Sequence, residues 1–305
     1  MSVLTVVLAL SAALTNASAS VLQRRAATDE SDSRSGAWHA VRWLGRVLRR
    51  PYWLAGAGML LLSTVFQAWA LAVGSLAVVQ PVLTTELLFT LVVGSLVFRH
   101  RPDRRTWLAF AAQALGLALF LGAAAPSAGR STAPSVTWLW TGVVVGCGVA
   151  AVVVTARRVT GASRAALLGL ASAVSFAATA AVLKEVMGRL GDGAAGVFTH
   201  WSPYATAVVG LVSFLLLQAA FRAGSLAASQ PALTLGDAMT SVALGWVLFE
   251  EHIGLGVRIV PEVVGVALIG AGSIGLARAP SLGGGWDTGP EDRSEATGVT
   301  GQGAS

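Results

Sequence analysis

One lysine and one cysteine stand among 305 residues, and only 12% of the chain is charged. A single Cys147 excludes an intramolecular disulfide and any site built on several thiolates. The four histidines are scattered with no metal-ligand spacing, so no His-rich centre is legible. There is no nucleophile elbow, no phosphate loop and no nucleophile–base pair; the chain does not read as an enzyme, and nothing in it asks for a cofactor. The shortage of charge excludes most. Soluble domains carry about 25% charged residues. Half that amount, gathered into clusters, cannot cover a water-exposed surface.

What fills the space between the clusters is apolar. The chain is 54% hydrophobic with a mean hydropathy of +0.69, in runs of about 20 residues, the length that crosses a ~30 Å hydrocarbon core. Tyr52–Phe98 holds one charge in 47 residues. As one helix it would be roughly 70 Å long, so it is a hairpin with its turn at Gly74-Ser75. The pattern predicts an all-α, polytopic membrane bundle of about nine helices: 3–21, 52–73, 75–98, 106–124, 136–155, 165–186, 203–221, 225–249 and 257–277. Met1–Ser20 reads as a retained span. It has no basic n-region, and Arg24-Arg25 follow the apolar stretch, although Ala17-Ser18-Ala19 resembles a cleavage site.

The net charge of +6 would suggest nucleic acid only on a soluble basic face. Here arginines sit in short loops: seven in 22–51, four in 99–105, three in 156–164. The opposite side carries Arg130, Lys184, Arg189 and Arg258. The positive-inside rule therefore predicts a multi-pass plasma-membrane protein with its N-terminus outside and its C-terminus in the cytoplasm. Its partners are the lipid bilayer and a small-molecule or ion substrate, not nucleic acid. Within 22–51, Trp38, Val41, Leu44 and Leu48 share one helical face and Arg42, Arg46, Arg49 and Arg50 the other, the pattern of a helix lying on the inner leaflet. The Gly-, Ser- and acid-rich tail 279–305 is expected to be disordered and cytoplasmic.

The chain also repeats itself. Gly74-Ser-Leu-Ala-Val-Val-Gln-Pro-Val-Leu-Thr84 and Gly224-Ser-Leu-Ala-Ala-Ser-Gln-Pro-Ala-Leu-Thr234 agree at eight of eleven positions, 150 residues apart. Gly94–Phe98 resembles Gly245–Phe249, and Ala19–Gln23 resembles Ala180–Lys184. The expected organisation is a first repeat over 1–124 (with its cytoplasmic loop 22–51), a connector with span 5 over 125–164 and a second repeat over 165–278. Four spans and one connector invert the second copy, as in many secondary transporters.

The Gln-Pro-x-Leu-Thr helix after a Gly-Ser-Leu-Ala turn, present in both halves, resembles the drug/metabolite transporter superfamily (EamA-type). The nine-span layout and Arg50-Pro-Tyr-Trp-Leu-x-Gly56 resemble its NIPA-like magnesium-transporter branch. The resemblance covers roughly 3–277 and implies transport of metabolites, drugs or ions. The superfamily's helix-end acid appears here as Glu250-Glu251; its first-half counterpart is Arg99-His100.

Candidate pathway residues follow from polar chemistry inside the spans. Pro81 and Pro231 each free a carbonyl near Ala77 or Ala227. In a bilayer such a gap persists only beside a cavity or a neighbour that satisfies it. With Gln80 and Gln230 beside them, they predict broken helices lining a path, against a packing kink. Glu86 and Asp237 fall near the centres of their spans, where a charge costs at least ~2.5–3.5 kcal/mol. Gln230, Thr234, Asp237 and Ser241 form one stripe. Asn16 is polar within span 1 and could serve the site or bind a neighbouring helix. Lys184-Glu185 reads as a snorkelling pair at the interface rather than a gate, and Arg258 with Glu262 as another interfacial pair. Gly270-Ala-Gly-Ser-Ile-Gly275 matches a dinucleotide fingerprint but lies inside span 9, where small-residue packing explains it. The leading expectation is a secondary transporter of a small solute, proton-coupled through Glu86 or Asp237. The alternatives are a Mg²⁺ or divalent-cation permease using Glu86 and Asp237 with neighbouring oxygens, and a non-transporting scaffold or sensor.

Overall fold

In lipid every backbone amide must be satisfied within its own segment, so apolar runs of this length become helices. The computed structural model describes residues 3–28, 51–97, 103–124, 129–224, 226–251 and 259–277. All regular elements among them are helical. In chain order they are α1 (Val3–Thr28), α2 (Pro51–Val73), α3 (Leu76–Leu83), α4 (Glu86–Val97), α5 (Arg104–Ala124), α6 (Ser135–Ala156) and α7 (Gly161–Gly188). A 3₁₀ turn at Leu190–Asp192 and a short α8 (Gly193–Thr199) lead to α9 (Ser202–Ala223), α10 (Leu226–Phe249) and α11 (Ile259–Ala277). Among the described residues, eight stretches are long and apolar enough to cross a membrane, α3 and α4 together making one of them; within α11, Val263–Gly275 is a shorter apolar helix. The first helix runs on past Arg24-Arg25 to Thr28, so the expected loop at 22–51 begins later. The proposed inner-leaflet helix, Arg99-His100, Arg258 and the tail 279–305 lie outside the described residues.

Packing uses small residues, as expected where apolar side chains gain little over lipid. Ala12, Ala17 and Ala19 of α1 are fully buried, and Ser63 on α2 donates to the Ala12 carbonyl at 2.8 Å. In the second half, Ser172 on α7 donates to the Ser213 carbonyl on α9 at 3.0 Å. Ser63 and Ser213 are 150 residues apart, the spacing of the repeat. The turns correspond too: Gly74 lies against Thr5 at the start of α1, and Gly224 against Ala165 and Gly161 at the start of α7. Helices α5 and α11 pack on each other. A Cβ on Gly116 would come within 2.7 Å of the Gly265 carbonyl, and one on Gly265 within 2.8 Å of the Gly116 carbonyl. Gly272 and Gly275 meet Gln113 and Ala109 in the same way, so the fingerprint-like run in α11 is a helix-packing surface.

Because the helices alternate in direction, two ends can be distinguished. One holds Thr5, Gly74, Lys184 and Glu251; the other holds Arg25 stacked over Tyr52 at 4.8 Å and the Gly224 turn. At the first end one apolar core joins both halves, from Leu71, Leu76 and Val79 to Leu244, Leu248 and Phe249. Toward the second end the clusters are separate, Leu88–Leu91–Ala109 in one half and Ala156–Leu168–Ala220 in the other. Span 5 (α6) stands at the periphery, with Val136, Leu139, Trp140 and Val144 turned outward.

Candidate functional site

The third span is two helices. Pro81 is fully buried, yet the break comes one turn later, at Thr84 and Thr85. Both threonine hydroxyls fold back on the chain, Thr84 donating to the Pro81 carbonyl and Thr85 to the Val82 carbonyl, each at 2.7 Å. Such local bonds offer the backbone an alternative to the helical ladder. The carbonyl of Thr84 is taken from outside the span: the Gln113 amide of α5 donates to it at 2.9 Å. Gln113 is 0% exposed. Glu86 then opens α4, where a carboxylate favours the helix dipole, and Asn16 of α1 hydrogen-bonds to it.

The expectation of a second broken helix is corrected. α10 runs unbroken from Leu226 through Pro231 to Phe249. Pro231 occupies the same helical position as Pro81, so proline alone does not break either span. The difference is the threonine pair, which the second copy replaces with Thr234-Leu235. An unbroken α10 keeps Gln230, Thr234, Asp237 and Ser241 in register, as their spacing predicts. Thr234 and Ser241 are buried; Gln230 and Asp237 are partly buried.

Several polar atoms in the interior have no hydrogen-bond partner among the described residues: Gln80 Nε2, Gln113 Oε1, Asp237 Oδ1, Ser241 Oγ and Ser273 Oγ. They lie on α3, α5, α10 and α11. Buried polar groups without partners are costly, more so in hydrocarbon. A shallow cavity of about 290 Å³ lies against Ala118, Leu119, Gly122, Ala123 and Pro261; none of the expected pathway residues lines it. No three His, Cys, Asp or Glu among the described residues gather as metal ligands, and Cys147 is exposed on α6.

Charge at the first end is arranged differently from the sequence expectation. Lys184 and Glu185 do not snorkel as a pair. Lys184 is 5% exposed and Glu185 0%, because the segment 129–134 and Phe249 cover them. The Lys184 ammonium pairs with Glu251 and lies 4.7 Å over the Phe249 ring. Glu251, also 0% exposed, accepts the Leu76 and Ala77 amides at the start of α3, at 2.7 and 3.0 Å. A carboxylate at a helix N-terminus is favourable for the same dipole reason as Glu86. Glu185 accepts the Ala133 amide at 2.8 Å, the Trp138 indole at 3.2 Å and the Arg189 guanidinium at 2.9 Å. Sequence reasoning missed Gln113 and the role of Glu251. The signal for Gln113 was a lone amide in the middle of an apolar span. Glu251 gave only its place in the helix-end acid pair Glu250-Glu251; nothing local pointed to the start of α3 as its partner, 175 residues away.

No protein-family model matches the chain, and no solved structure matches it. An uncharacterized protein of Corynebacterium glutamicum is 30% identical over 256 residues, spanning 82% of this chain and 86% of its own length. At that identity and extent, the chain belongs to one family with this corynebacterial protein.

Proposed function

We propose that this membrane protein is a secondary transporter of a small solute, built from two inverted repeats and coupled to protons through Asp237 or Glu86. The observation that carries the reading is the set of interior polar atoms on α3, α5, α10 and α11 that have no hydrogen-bond partner among the described residues. A bundle with only a structural task would gain by making these positions apolar or pairing them. A solute or water passing between the repeats supplies the missing partners. The corresponding packing of the Gly74 and Gly224 turns, and the placing of Ser63 and Ser213 at the same point of their helix pairs, support the two-fold arrangement. Such an axis gives two conformations of similar energy, open to opposite sides. The arginine-rich loops support an N-terminus outside the plasma membrane, and the reading agrees with the resemblance to the drug/metabolite transporter superfamily.

The test is flux into liposomes, with amino acids, cationic drugs and Mg²⁺ screened under an imposed pH gradient. Asp237→Asn and Glu86→Gln keep size and hydrogen bonding but remove the exchangeable proton. At least one of them should abolish pH-driven flux at normal expression and folding. Wild-type flux per folded molecule in both would overturn proton coupling through these acids. Metal uptake indifferent to the gradient would favour the divalent-cation reading, and no flux of any solute the scaffold reading.

A further inference from the structure

We propose that Glu251 is the latch that holds the first end of the bundle shut, with Lys184 as the residue that positions it; the idea of an opening rests on the transport reading above. Glu251 belongs to the second half, at the exit of α10. The amides it accepts, Leu76 and Ala77, belong to the first half at the entrance of α3. Its two carboxylate oxygens therefore tie the halves together, and the tie is charge-assisted, the strong kind of hydrogen bond. Lys184 lies within the second half and compensates the buried charge.

The local backbone is shaped for this contact. Glu250 adopts φ 53°, a left-handed conformation uncommon outside glycine. The chain then turns back so that the Glu251 amide reaches the Gly245 carbonyl at 3.1 Å. Gly245 leaves room for the carboxylate: a Cβ there would come within 2.3 Å of Glu251 Oε2. Gly245 lies one turn beyond Ser241 and about 12 Å along α10 from Asp237. The latch thus stands at the mouth of the polar stripe. Over it lies the segment 129–134, where the Arg130 amide donates to the Phe249 carbonyl at 2.6 Å and Glu185 holds the Ala133 amide. The single core shared by both halves is at this same end. Withdrawing Glu251 would remove the polar tie while leaving Lys184 over the Phe249 ring.

The test reads access rather than flux. In a Cys147→Ser background, Ser241→Cys reports entry to the stripe from the latch end. A membrane-impermeant methanethiosulfonate is added to right-side-out and to inverted vesicles in turn. With Glu251 intact, labelling from the latch end should be slow. Glu251→Gln, and to a smaller degree Lys184→Met, should accelerate it by about ten- to a hundredfold, the scale of population shift expected when one state loses its specific contacts. Lys184→Arg should stay slow. Unchanged labelling in Glu251→Gln, with the protein folded by thermal unfolding and gel filtration, overturns the latch. Should that variant not fold, Lys184→Met decides in the same way. Labelling needs no substrate, so a protein that moves no solute can still support the latch, and one that transports normally without faster labelling refutes the latch alone.

Discussion

The third and eighth spans begin from nearly the same eleven residues, and each carries a proline at the sixth position of its helix. One is two helices joined at Thr84-Thr85; the other is continuous for 24 residues. The proline is shared, so it does not account for the difference. Three neighbouring residues do. Thr85, where the second copy has Leu235, adds a hydroxyl that competes for the backbone. Gln113 takes the carbonyl that the break exposes. Glu86, where the second copy has Gly236, places a carboxylate on the new helix start. Repeats of this kind preserve packing while local polar residues decide which copy bends.

The largest effect that could break the comparison is an exchange at its third position. Gly236 packs on α7, where a Cβ would meet Leu170 at 2.8 Å and Ala173 at 3.0 Å. Gly236→Glu would force a carboxylate into that contact and should cost on the order of 3–5 kcal/mol, the scale of an uncompensated buried charge. Glu86→Gly removes one bond to Asn16 and one helix-start charge and should cost only about 1 kcal/mol. Thermal unfolding in detergent checks both. Equal losses would mean that the two sites are not environmentally distinct.

A smaller effect sharpens it. Gln113→Leu leaves the Thr84 carbonyl only the long bond from the Leu87 amide, at 3.4 Å, and should destabilise by about 1 kcal/mol, the range of single interhelical hydrogen bonds in membranes. Thr85→Leu gives span 3 the residue that span 8 has, and should lower hydrogen exchange of the amides at 86–89 as the ladder closes. Faster or unchanged exchange there would return the cause of the break to Pro81.

Much of this fold was legible in the residues because membranes impose it. Apolar runs of fixed length marked the helices, and the two Gly-Ser-Leu-Ala segments marked both hairpin turns, where Gly74 and Gly224 pack on the starts of α1 and α7. The stripe from Gln230 to Ser241 was legible because α10 is regular. The break at Thr84-Thr85 was not, since its partner Gln113 is 29 residues away on another helix. The tie from Glu251 to Leu76 joins positions 175 apart, and no local pattern encodes such a contact. Lys184 read as interfacial from its place near a helix end. Only the covering segment 129–134, whose position no periodicity reveals, makes it buried.

The smallest effect concerns how span 8 ends. Glu250 holds a left-handed φ of 53°, which costs a residue with a Cβ roughly 1–2 kcal/mol. Glycine would relieve this but would loosen the unfolded chain by about 0.5–1 kcal/mol, and would lose the ion pair to Arg130. That pair is exposed on both sides, and surface pairs contribute about 0–1 kcal/mol. The terms nearly cancel, so Glu250→Gly should unfold within about 0.5 kcal/mol of the parent. Alanine loses the ion pair and keeps the strain, so Glu250→Ala should fall below Glu250→Gly by about 1 kcal/mol. If alanine equals or exceeds glycine in thermal unfolding, the left-handed turn is not what aims Glu251 at the start of α3, and the difference between the two span ends must lie in the residues beyond it.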